Sequence, residues 1–304
     1  RLDIVTGVFS QQPLCLKGRT YYSLPMKILS RFTVIATLGV AAGVVFSSII
    51  AVKPAAAQLL AHKAFYSLKL GKLRAGSNFS GASGSMGLEL KGTCDGWIMS
   101  QTLIMDLELP DGRQIRQDLR FTGWESLDRT QYRFFASNRT DNEREDFRGS
   151  ARLFGPGSAG NANFRVPDAR KIPLPEGTMF PMGHTAWLID RARVGQRLAN
   201  TIVFDGADGE GPQRVSAFIS PTLGPDHHEG GKMVPKLGAA MARPGWKIRM
   251  AFFALDAQSA APDYEIEILQ LDNGIVPSLL LDYQDFTVVL KPEQLEVLSP
   301  PKCD

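Results

Sequence analysis

The stretch from Trp97 to Phe121, WIMSQTLIMDLELPDGRQIRQDLRF, decides the fold. Trp97, Met99, Leu103, Met105, Leu107 and Leu109 share one parity, while Ser100, Thr102, Asp106 and Glu108 share the other. A period of two marks a strand with one buried and one wet face. The run ends at Pro110-Asp111-Gly112, a hairpin turn signal, so Ile115 to Phe121 is expected to return antiparallel.

The same alternation spreads outward in both directions. Upstream, Tyr66, Leu68 and Leu70 alternate with Ser67 and Lys69, and Leu88 and Leu90 flank Glu89. Downstream, strands are expected around Gln131 to Ser137, Glu145 to Phe154 and Ile202 to Asp205. Trp246, Ile248, Met250 and Phe252 then alternate with Lys247, Arg249 and Ala251, as Tyr264, Ile266 and Ile268 do with Glu265 and Glu267. Asn273-Gly274 signals a reversal before Leu279 to Tyr283, and Phe286 to Leu290 closes the series. One segment follows another period. Trp187, Arg191, Val194 and Leu198 recur at i, i+4, i+7 and i+11, which predicts a helix from roughly Gly183 to Val194.

No low-complexity linker divides the chain, and all-β domains of this size are common. The expectation is a mainly β, single-domain antiparallel sheet of roughly 12–14 strands wrapped around one principal helix. Two shapes remain open: a closed barrel, or an open spiral around the helix.

The first methionine is Met26, and residues 1–25 show no periodicity or composition bias, so they are set aside as a spurious upstream extension. From Met26 the order is Lys27 and Arg31, an apolar run from Phe32 to Val52, then Lys53-Pro54-Ala55-Ala56-Ala57-Gln58. This predicts a signal peptide over residues 26–57, with Ala55 and Ala57 offering the small side chains at the cleavage site and the mature chain starting at Gln58. The competing reading is an uncleaved anchor, since the run is long enough to span a bilayer. After cleavage the expected location is the periplasm, with residues 58–304 as the domain and no membrane span.

Removing the leader changes the charge. The chain has 34 Lys and Arg against 31 Asp and Glu. Six basic residues and one acid precede Gln58, which leaves 28 against 30 and a net charge of −2. The precursor's positive charge is therefore no sign of a nucleic-acid partner. Only Cys94 and Cys303 follow the leader, an even pair that is expected to form a disulfide in an oxidising compartment. In the chain-entropy model, closing so long a loop stabilises by at most about 5 kcal/mol. The alternative is a pair of buried or idle thiols.

The sequence supports no catalytic, cofactor or metal assignment. Gly81-Ala82-Ser83-Gly84-Ser85 lacks the final glycine of a nucleophile elbow. His184 is read as structural, through helix capping or core hydrogen bonding. Asp226-His227-His228-Glu229 is read as a solvated loop tip, because adjacent histidines point apart and lack supporting partners. Asp205, Asp208 and Glu210 depart from calcium-loop spacing and are assigned to a turn. Arg139, Arg144, Arg148 and Arg152 are interleaved with Asp141, Glu143, Glu145 and Asp146, which reads as a solvated face. His184, Trp187 and Arg191, together on the expected helix, are the candidate binding residues.

These motifs resemble, in order, those of the alphaproteobacterial cell-envelope integrity proteins of the EipB type. The matching residues are His62-Lys63-Ala64-Phe65-Tyr66, Cys94-Asp95-Gly96-Trp97, Leu174 to Pro181 with His184, and Phe204-Asp205-Gly206. Pro262 to Glu265, Asn273-Gly274, Leu281 to Phe286 and Cys303 follow. The resemblance implies a periplasmic β-spiral around a helix, a disulfide joining Cys94 to Cys303, and a role in envelope homeostasis and envelope-stress resistance with no established enzymatic activity. The expected function is thus non-enzymatic binding of a periplasmic protein partner or an amphiphile. A carrier of lipid or lipoprotein acyl chains is the alternative, and an envelope hydrolase a third.

Overall fold

The Pro110-Asp111-Gly112 turn joins strand β3 (Gly96–Glu108) to β4 (Gln114–Ser126), and the two pair antiparallel in unbroken register from Gly96 opposite Ser126 to Glu108 opposite Gln114. The alternation that predicts this hairpin also settles its faces. Leu103, Met105 and Leu107 are buried, and Asp106 and Glu108 are not. The computed structural model describes residues 59–283 and 285–303. The expected upstream extension (residues 1–25), the signal peptide (26–57) and the cleavage residues Ala55, Ala57 and Gln58 lie outside the described residues.

Before the hairpin come β1 (His62–Leu73) and β2 (Gly81–Gly92); after it come β5 (Gln131–Thr140), β6 (Glu143–Leu153), β7 (Gly160–Val166), β8 (Arg170–Leu174) and β9 (Thr178–Met179). Helix α1 (Pro181–Arg193) follows. The second half consists of β10 (Leu198–Val203), β11 (Gln213–Ile219), β12 (Gly245–Ala254), β13 (Tyr264–Leu271), β14 (Ser278–Asp282) and β15 (Phe286–Val297). The protein is mainly β, and its described residues form one sheet of fifteen strands. Of these, β7, β8, β9 and β11 were not anticipated from the sequence.

The strand order, β8 through β1, then β15 down to β9, explains the shape. Two meanders are joined by the antiparallel pairing of β1 with β15. The sheet's two edges, β8 and β9, are neighbours in sequence, linked only by Pro175-Glu176-Gly177. So short a link spans no more than roughly 14 Å, so the sheet has to curl round until its edges nearly meet. The result is a nearly closed, barrel-like spiral, between the two shapes left open by the sequence. Edge strand β8 carries Arg170, Lys171 and Pro173, and β9 is two residues long, both of which discourage edge-to-edge pairing with another chain.

Helix α1 packs inside this curl. Leu188, Ile189 and Ala192 share a buried cluster with Val215, Ala217 and Ile219 of β11 and with Trp246, Ile248 and Met250 of β12, and Trp97 and Met99 of β3 pack against the same cluster. A second cluster joins β1, β2, β3 and β15 through Tyr66, Leu68, Met86, Met105 and Val288. A third, rich in aromatic rings, lies under β5 to β7 and includes Tyr132, Phe134, Phe164, Phe180 and Phe204.

The segment Asp226 to Glu229 is solvated at Asp226, His227 and Glu229, as expected, but not at His228. Pro225–His227 is a 3-10 turn, and His228 is buried as the N-cap of α2 (Glu229–Lys232), accepting from Gly231 N at 3.3 Å. His228 Nε2 lies 2.8 Å from the Arg243 carbonyl oxygen. A further short helix, α3 (Val234–Leu237), follows. The residues whose spacing reveals α1 are not the ones it buries. Arg191 and Val194 are exposed, Trp187 is half-buried, and Leu198 belongs to β10; the buried face is Gly183, His184, Ala186, Leu188, Ile189 and Ala192. Among the described residues, no helix is long and apolar enough to cross a membrane.

Candidate functional site

The first turn of α1 needs acceptors for its free N–H groups. Phe180 at the N-cap offers no side-chain oxygen, and Pro181 at the first position removes one donor. The cap comes from another strand. Glu125 of β4 accepts from Met182 N through Oε2 and from Gly183 N through Oε1, both at 2.8 Å. Gly183 allows this approach, because a Cβ there would lie 2.9 Å from Glu125 Oε1. Glu125 is 2% exposed, and burial pushes its carboxyl up to about 7, against the two N–H bonds and the Arg129 charge, which pull it down.

Glu125 was missed from the sequence because strand β4 was read only as far as Phe121. Ile115, Leu119 and Phe121 point inward, and the same parity continues through Gly123 to Glu125. An acid on the buried parity was the available signal.

The three candidate binding residues form a column along α1. His184 is buried and its ring lies 6.2 Å from that of Trp187, nearly parallel to it. The Arg191 guanidinium sits over the Trp187 ring, 5.2 Å from its centre, and reaches Gln196 Oε1 at 3.2 Å. The column thus grades from a buried imidazole through a half-buried indole to an exposed cation. His184 neither caps the helix nor hydrogen-bonds in the core as expected: among the described residues its Nε2 has no partner. Burial pushes this imidazole down to about 4, which keeps it neutral at neutral pH.

The other singled-out residues lie elsewhere. Cys94, in the turn between β2 and β3, is bonded to Cys303 beyond β15, with their Cα atoms 5.6 Å apart. Pro301 of the same tail rests against Gly92. Asp205 accepts from Ala207 N at 2.9 Å, and Asp208 from Glu210 N at 2.9 Å, so both cap turns in their own loop. Asp282, within the Leu281 to Phe286 motif, pairs with Arg74 at 2.7 Å and Arg249 at 3.3 Å.

The arginines are arranged in a way that the sequence concealed. Pleating separates the interleaved charges of β6: Arg144, Arg148 and Arg152 face outward with Asp146, and Glu145 has the inward parity of Phe147. Next to them, register places Trp124 opposite Arg133 and Phe135 opposite Arg148.

Comparison with known proteins matches the chain along most of its length. A family model described as EipB-like matches residues 53–299. The cell envelope integrity protein EipB of Brucella abortus (strain 2308) is 27% identical over 251 residues, covering 81% of this chain and 87% of that protein. A crystal structure described as a β-barrel-like protein of domain of unknown function DUF1849, also from Brucella abortus, is similar with a TM-score of 0.73 at 25% identity, covering 80% of this chain and 100% of that one.

Proposed function

Because this chain belongs to the EipB-like family, we propose that it maintains the integrity of the cell envelope as a non-enzymatic periplasmic protein that binds a protein partner or an amphiphile. The observation that carries the reading is the match to a cell envelope integrity protein over 87% of that protein's length. Two features support it. A disulfide persists in oxidising compartments outside the cytoplasm, in keeping with a leader cleaved after Ala57. The His184, Trp187 and Arg191 column offers a contact surface of an aromatic face and a cation, a pairing common at binding surfaces. A clean deletion of the gene is expected to sensitise cells to detergent and to cell-wall antibiotics, with resistance restored by the wild-type gene. Unchanged resistance would overturn the proposal.

A second reading, carriage of an acyl chain, is favoured by one observation. Leu70, Ile115, Leu119, Leu279 and Leu281 pack against the second cluster yet are only partly buried, so the concave side keeps accessible apolar surface. Native mass spectrometry of protein purified from the periplasm is expected to show a co-purifying lipid if this reading holds. Protein repeatedly free of lipid would remove it.

A further inference from the structure

Strands β4 to β7 turn eight arginines outward: Arg116, Arg120, Arg133, Arg139, Arg144, Arg148, Arg152 and Arg165. The same face of these strands carries two acids, Asp118 and Asp146, which leaves a local charge of 8 − 2 = +6. From Gln58 onward the chain as a whole sums to 28 − 30 = −2. A concentrated positive face on a net-negative molecule is a feature of its surface, not of its composition.

The acids of this face are already engaged. Asp118 pairs with Arg120 at 2.9 Å and Asp146 with Arg144 at 2.8 Å, while Asp106 of neighbouring β3 takes Arg116 at 3.1 Å. Arg133, Arg148 and Arg165 have no ion pair among the described residues. They line a shallow groove of about 580 Å³ together with Trp124, Phe135 and Ser150. Arg133 lies 4.7 Å from the Trp124 ring centre and Arg148 lies 5.1 Å from that of Phe135, each stacked on the residue opposite it in the register. Stacking occupies the flat side of a guanidinium and leaves its N–H edge free, already oriented for two-pronged contact with a phosphate. Arg165 arrives at the same groove from the bulge in β7, where Gly149 pairs with Phe164 and Arg148 with Val166.

We propose that this face docks the protein onto the anionic headgroup surface of a membrane, with Arg133, Arg148 and Arg165 holding lipid phosphates. Charge complementarity selects this occupant: a broad positive field suits an extended anionic layer, and the three guanidiniums that line the groove suit its phosphates. The proposal rests on the envelope reading for its setting, but its test is independent. A failed vesicle experiment leaves a deletion phenotype intact, and an absent phenotype leaves vesicle binding intact.

The test is co-sedimentation of the purified protein with phosphatidylcholine vesicles, with or without phosphatidylglycerol. Binding is expected only to the phosphatidylglycerol vesicles, weakening as salt is raised. Replacing all three residues (R133Q, R148Q and R165Q) is expected to weaken it by roughly a hundredfold. The pair K91Q and K247Q, exposed lysines elsewhere, is expected to bind like the wild type. If the triple variant does not fold, R165Q alone, which breaks neither of the two stacks at Trp124 and Phe135, is expected to weaken binding by about fivefold. Equal binding to both kinds of vesicle, no binding to either, or wild-type binding by folded R133Q/R148Q/R165Q would overturn the proposal. So would binding of that face to an acidic protein with none to vesicles.

Discussion

Glu125 and His184 meet the same helix end with opposite electrostatic consequences. An acid whose carboxyl is pushed up from 4.5 to about 7 holds more protons folded than unfolded, so the stability it confers falls as pH rises through that window. A histidine pushed down from 6.5 to about 4 holds fewer, so its contribution falls as pH drops through its own window. Where the windows overlap, the two slopes offset each other in the wild type. Glu125→Gln removes one of them. Its thermal stability is expected to rise relative to wild type as pH goes from about 4.5 to about 7, and a constant gap across that range would show that Glu125 ionises with an ordinary carboxyl. Glu125→Ala is expected to lose stability across the whole range, by about 1–3 kcal/mol for each buried N–H it strands at Met182 and Gly183. At this scale the sequence was only half legible. His184 could be singled out as a polar group in the first turn of a helix, but its missing partner could not. Glu125 was hidden because its meaning depends on a helix more than fifty positions away.

At the scale of elements, legibility followed side-chain size. Strands whose inward residues are large, such as Leu103, Met105 and Leu107 of β3, announce themselves by alternation. Strand β7 turns Gly160 and Ala162 inward as well as Phe164, and β8 contains Pro173, so neither carries a clear pattern. Helix α1 shows the same bias in a subtler form. Its existence was legible, but the large residues Trp187 and Val194 drew attention to the wetter side, because the buried side relies on Gly183, Ala186 and Ala192 for close approach to the sheet. The two faces make a quantitative contrast. Ile189→Ala, at a position with 0% exposure, is expected to lower stability by about 2–5 kcal/mol in urea unfolding. Trp187→Ala, which truncates a partly exposed ring, is expected to lose less. A larger loss at Trp187 than at Ile189 would mean that the helix is seated the other way round.

On the scale of the whole molecule, closure is uneven. On one side, β1 and β15 join the two meanders by a long antiparallel ladder. At the seam, β8 and β9 do not pair, and the contact is made instead by the loop after β10. Tyr132 donates to the Asp205 carbonyl at 2.9 Å, Asn138 to that of Ala207 at 3.2 Å and Arg170 to that of Gly209 at 2.6 Å, while the Phe204 ring meets Phe134 edge-on at 5.5 Å. None of this was legible beforehand, because the strand order that makes β8 and β9 the two edges depends on long-range pairing. Gly206 is the tightest point of the seam. Its backbone has φ of 69°, and a Cβ there would lie 2.5 Å from the Phe134 ring. Gly206→Ala combines a left-handed conformation unfavourable to alanine with overpacking, so a loss of about 2–5 kcal/mol is expected. The location of the loss is the sharper test. If the seam opens as a local unit, amide exchange in Gln213–Ile219 and Arg170–Leu174, which flank the loop, accelerates in the variant while His62–Leu73 and Phe286–Val297 keep their protection. Equal acceleration in all four strands would mean that the spiral opens as one cooperative body and that the seam is no weaker than the β1 to β15 ladder.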